Sequence, residues 1–92
     1  MWIAEWEWDD VNVGHLAERG LTPEQVSEVW HGNPKFRRNK KHRAASHQMI
    51  GADAGGAFYA IFVRQSETFA GRWRAITGRP AEQHETDWWK KS

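Results

Sequence analysis

Ninety-two residues allow one core and no more, so a single domain over 1–92 is expected. The absence of cysteine removes disulfides and thiolate metal sites and suits a reducing cytoplasm, while the acidic stretch Met1–Asp10 is unlike a signal peptide and no apolar run is long enough to span a membrane. The net charge of +1 hides strong polarity: residues 1–30 carry seven acids against Arg19 alone (−6), and residues 31–47 carry six bases and no acid (+6), so a polyanion can be attracted locally by a nearly neutral chain.

Trp2, Ala4, Trp6 and Trp8 alternate with Ile3, Glu5, Glu7 and Asp9, a period of two that predicts a half-buried strand with its tryptophans inward. Asp9 or Asp10 is a suitable N-cap for a helix from Val11 to Arg19, ended by Gly20 in the left-handed conformation. Thr22-Pro23-Glu24-Gln25 has a capping-box pattern with proline at the first helical position. The second helix that it starts turns Val26, Val29 and Trp30 inward and stops at Gly32-Asn33-Pro34.

From Lys35 a basic run begins that a core could not absorb, so it belongs on the surface, part of it as a short edge strand. Residues 47–52, a turn at Asp53–Gly56 and residues 57–64 read as strand, turn and strand. The second of these, apolar on both faces, should be central. A polar loop at 65–71 leads to a strand over Arg72–Gly78, and Pro80–Lys91 reads as a terminal helix. Trp88 and Trp89 cannot both face inward on one helix, so whichever stays out is a candidate contact for a dimer or another partner. The expected class is α+β: an antiparallel sheet with helices on one side, in the order β-α-α-β-β-β-α.

Taken in order, Glu5-Trp6-Glu7-Trp8-Asp9, Asn12, His15, Arg19-Gly20-Leu21 and Thr22-Pro23-Glu24-Gln25-Val26 resemble the N-terminal signature of the BrnT-type toxins of toxin–antitoxin systems. Asn33-Pro34, the basic stretch and the hairpin continue the likeness over nearly the whole chain. Arg74-Ala75-Ile76-Thr77-Gly78-Arg79 is similar to the family's Arg-x-Ile-Ser-Ala-Arg strand end, with Thr-Gly in place of Ser-Ala. The resemblance implies a RelE-like fold, an endoribonuclease that needs no metal or other cofactor, and a DNA-binding, BrnA-like antitoxin as its partner.

Such cleavage uses the 2′-hydroxyl of the RNA as nucleophile, so the protein supplies a proton acceptor, a donor and cations for the charge that builds on phosphorus. Arginine suits the cationic role because its fork grips two phosphate oxygens and stays charged. Arg79 and Arg74, at the end of the last strand, are the foremost candidates, and Arg64 ends the strand before. For proton transfer the candidates are His47, next to the basic run, and His15, which shares a helix face with Asn12 and Arg19. Lys35, Arg37, Arg38, Lys40, Lys41 and Arg43 are expected to bind RNA or an acidic antitoxin segment, with Phe36 stacking on a base. On this reading Arg79→Ala spares the fold and abolishes cleavage. The five histidines show no spacing of metal-ligand type.

Overall fold

The computed structural model describes residues 2–92. Asp9 is extended, and its carboxylate accepts the N–H groups of Val11 and Asn12 while the Asn12 side chain accepts the N–H of Asp9. This reciprocal cap starts helix α1, Asp10–Glu18. The helix closes on a left-handed Gly20 (φ 77°), with Gly20 N–H donating to Ala17 and Leu21 N–H to Leu16. That double bond is the Schellman arrangement, and it turns Leu21 into the core. Thr22 and Gln25 form a second reciprocal cap, with Pro23 at the first position of α2, Pro23–His31. Both helices form where local chemistry predicts.

The strands are β1 (Glu5–Trp6), β2 (Lys35–Arg38), β3 (His47–Ala52), β4 (Phe58–Gln65) and β5 (Arg72–Pro80), followed by helix α3 (Gln83–Lys91). They form one sheet in the order β1-β5-β4-β3-β2, so the doubly apolar β4 is central. Two features of the expected architecture need correction. The start of the basic run is the short edge strand expected there, β2, but the expected order left it out and gains one strand. The sheet is mixed, because β1 lies parallel to β5 through Glu5↔Arg72 and Trp6↔Trp73.

One face of the sheet carries the core. Leu16, Leu21, Val26 and Val29 from the first two helices meet Met49, Ile61, Val63, Trp73 and Ala75, with Trp6, Trp8, Trp30, Phe36 and Tyr59 packed around them. Trp6 and Trp8 therefore face inward as alternation predicts, but Trp2 is 68% exposed and Ile3 packs inward instead. The reason is local: Ala4 and Glu5 both donate to the carbonyl of Gly71, so the alternation slips by one residue before β1. Gly71 has φ 83° and lies under the Trp2 ring, where a side chain would collide.

The expectation of helices on one side alone is also corrected, because α3 covers part of the opposite face. Trp89 packs edge-on against Phe58 and donates to the carbonyl of Asn33, while Trp88 lies under the Arg37 guanidinium. Both tryptophans are thus engaged with the sheet side. One meets an apolar ring and the other a flat cation, and this is how adjacent positions on one helix both find partners. Pro80 ends β5 instead of starting the helix, whose N-cap is Glu82. Among the described residues no helix is long and apolar enough to cross a membrane.

Candidate functional site

The face opposite the core is where the arginines gather. In register, Arg64 pairs with Arg74 and Ala60 with Arg79, which puts Arg64, Arg74 and Arg79 on one side of the sheet. Arg74 and Arg79 are five residues apart, so a regular strand would send them to opposite faces. A bulge resolves this: Phe62 pairs with Thr77 but Val63 with Ala75, leaving Ile76 as the extra residue.

What each guanidinium touches divides them. Arg74 donates to Glu7 at 2.7 Å and to both oxygens of Asp9 at 2.7 and 3.2 Å. It holds the Asp9 carboxyl down to about 2, helped by the backbone N–H of Asn12, and with Ser66 it holds Glu7 below the ordinary carboxylate range. Its own pKa is raised in return, by Asp9 first and then Glu7. Asn12, 2% exposed, donates to the carbonyl of Glu7 and so braces the acidic segment that grips Arg74. The −6 segment, residues 1–30, is here neutralising a basic strand internally.

Arg79 is held in the same way by α3. Its two terminal nitrogens donate to the two oxygens of Glu85 at 2.6 and 2.9 Å. Burial of Glu85, 1% exposed, acts to raise its pKa, but the Arg79 fork and the N–H of Glu82 outweigh it and leave the carboxyl below its usual value. Arg79→Ala would leave the buried Glu85 carboxylate with the Glu82 N–H and the Arg37 guanidinium at 3.9 Å, so the substitution should weaken the fold as well as the site. Glu82, His84 and Glu85 bring three potential metal-ligand atoms within 4.8 Å of one another. Arg79 already occupies both Glu85 oxygens and lies 3.5 Å from Glu82, so a positive charge stands where a cation would bind.

Arg64 differs. Its Nε is buried without a hydrogen-bond partner, and no carboxylate among the described residues forms an ion pair with it. It lines a hollow of about 160 Å³ with Val11, Asn12, His15, Ala44, Arg74 and Ile76. A larger hollow of about 330 Å³ adjoins it, sharing Ala44 and Ile76 and reaching Lys40, Arg43 and Arg79. Neither is lined by an acid. A third, of about 190 Å³, continues past Arg64 and Arg74 to Glu7 and Glu67, and there the groove turns acidic.

The other candidates separate. His15 is exposed at the Arg64 hollow. His47 does not join the arginines: it pairs with Val63 on the core face and stands edge-on to Trp73 at 5.5 Å, where burial first and Arg38 second push its pKa down. Phe36 pairs with Met49 on the core face and packs, half-buried, against the core, away from the arginine groove. Lys35 donates to the carbonyls of Trp89 and Ser92 and so caps the end of α3. Arg37 lies over Trp88 and donates to Gln48. That leaves Arg38, Lys40, Lys41 and Arg43 exposed, the last three on a loop whose ends are pinned by Asn39 to Ser46 and Ala45.

Sequence reasoning ranked Arg64 third among the arginines, and the local sequence held no signal to raise it. Its distinction is the lack of a partner, which is a property of the whole fold. No family model matches the chain, and no curated protein matches it.

Proposed function

We propose that this chain is a BrnT-type endoribonuclease with a RelE-like arrangement, binding single-stranded RNA along the acid-free part of the groove and neutralised by a BrnA-like antitoxin. The observation that carries the reading is Arg64, a half-buried guanidinium without a counter-ion, opening into a hollow that His15 also lines. A buried cation left unpaired costs free energy that an incoming anion returns, and an arginine fork suits the phosphorane of an in-line attack by the 2′-hydroxyl. His15 serves as the proton carrier, and Lys40 and Arg43 draw the neighbouring phosphates. Arg74 and Arg79 frame the site while tied to carboxylates. Bound RNA would compete with Glu7, Asp9 and Glu85 for them.

In EDTA, purified protein is expected to cut single-stranded RNA, and His15→Gln to slow cutting by about 10² to 10⁴ without changing affinity. With Lys40, Lys41, Arg43 and Arg64 as the contacting charges, and Arg38 turned with His47 to the other face, the log-log dependence of binding on salt should have a slope of about −3. Induced expression should arrest bacterial growth. A protein that binds RNA with that slope but leaves it intact would sink the nuclease proposal.

One feature favours a second reading, a non-catalytic RNA- or protein-binding module. Cleavage needs a proton acceptor and a donor, and His15 is the sole side chain lining the Arg64 hollow with the chemistry for either. A binding role needs neither.

A further inference from the structure

The larger hollow holds features that phosphate binding alone does not require. Its floor is apolar, made by Phe62 of β4 and by Ile76, the residue the bulge extrudes. Along one side lies a hydrogen-bonded amide chain: Arg37 donates to Gln48 Oε1, Gln48 Nε2 donates to Asn39 Oδ1 at 3.0 Å, and Asn39 Nδ2 donates to the carbonyl of Ala45. These bonds fix both amides in orientation yet leave each oxygen a lone pair and each nitrogen a hydrogen. Thr77 adds a hydroxyl, while Lys40 and Arg43 stand at the rim. Arg79 lies over the Phe62 ring at 5.4 Å from its centroid, forming one wall.

We infer that this hollow is a base pocket: it takes one nucleobase of single-stranded RNA, laid against Phe62 beside Arg79, and orients the adjoining phosphate toward Arg64. The inference rests on the RNA-binding half of the proposed function and adds to it the residues that select the nucleotide. Three properties point to a nucleotide as occupant. The rim carries cations and no acid, which calls for an anion. The floor is an aromatic ring and a branched aliphatic, which calls for an apolar body. The oriented amides call for in-plane donors and acceptors at the edge of that body, as a base presents on its pairing edge. An acidic peptide satisfies the first property but has no use for the other two. At about 330 Å³ the hollow is at the small end of ligand pockets, suited to one base and not to a stack. Because Ala44 and Ile76 line both hollows, a base in the larger one has its phosphate beside the smaller.

The test measures binding of fluorescein-labelled RNA pentamers to the intact protein by polarisation, comparing each pentamer with one whose central nucleotide is abasic. Wild-type protein should lose about five- to a hundredfold in affinity for the abasic RNA, the range of one base–aromatic stack. Phe62→Leu should bind intact and abasic RNA alike, and Gln48→Glu should change the order of preference among the four homopolymers. The comparison of two RNAs on unaltered protein needs no variant to fold. Equal affinity for intact and abasic RNA would overturn the base pocket, whether or not the RNA is cut. Displacement of RNA by a glutamate-rich peptide whose own binding Phe62→Leu weakens would overturn it in favour of a protein-docking surface. Base-dependent binding without cleavage would uphold the pocket while removing the nuclease activity.

Discussion

The two faces of the sheet solve opposite problems with the same strands. On one, apolar side chains from α1, α2, β3, β4 and β5 exclude water and leave nothing to bind. On the other, three arginines share a surface with Phe62 and Ile76, and all but Arg64 are tied to carboxylates. The first face carries the core, and the second carries the cations. The difference teaches that a cation's rank as a functional residue depends less on its place in a strand than on whether the fold has already supplied its anion.

The comparison is broken most severely from the core side. Ile61→Ala removes a fully buried side chain from the core cluster on the central strand, and should cost about 2–5 kcal/mol, read by urea unfolding with tryptophan fluorescence. For a domain this small that is a large part of the total.

On the charged face, Arg79→Ala should cost about 2 kcal/mol in the same assay, because Glu85 loses its two short bonds and keeps only the more distant Arg37 at 3.9 Å, while Arg79 itself is part-exposed. Glu85→Gln added to Arg79→Ala should recover part of that loss. If Arg79→Ala is neutral, the Arg79–Glu85 clamp is not the anchor of α3.

Acid should loosen the same face in a defined window. Asp9, Glu7 and Glu85 all have folded pKa values below their ordinary ones, so their contribution is complete above the unfolded values near pH 4. It is lost as pH falls toward about 2, the folded value of Asp9. Near-ultraviolet circular dichroism should follow that loss, and Asp9→Asn should make the acid limb shallower. A smaller effect, about 1 kcal/mol, is expected from Asn12→Ala, which opens the first capping box and releases Glu7.

Local chemistry made much of the fold legible. Asp9, Gly20 and Thr22-Pro23 announce the ends of two helices because caps depend on residues within one turn. β3 could be read at 47–52 because turn residues flank it. What escaped depended on partners far along the chain. The bulge at Ile76 leaves no mark in Ala75-Ile76-Thr77, yet it brings Arg74 and Arg79 to one face. Lys35 and Arg37 read as free cations because the tryptophans and carbonyls that hold them lie some 50 residues later. His47 sits beside the basic run in sequence, but its register with Val63 turns it to the core. The site's raw materials were visible in the sequence, but the sorting into paired and unpaired cations was not.

The smallest stability change should accompany the largest loss of function. Arg64→Gln removes a cation that has no protein partner, so its unfolding free energy should stay within about 0.5 kcal/mol of wild type. RNA cleavage by the same protein in EDTA should fall at least about a hundredfold. Undiminished cleavage by a folded Arg64→Gln protein would contradict the claim that this guanidinium holds the phosphate.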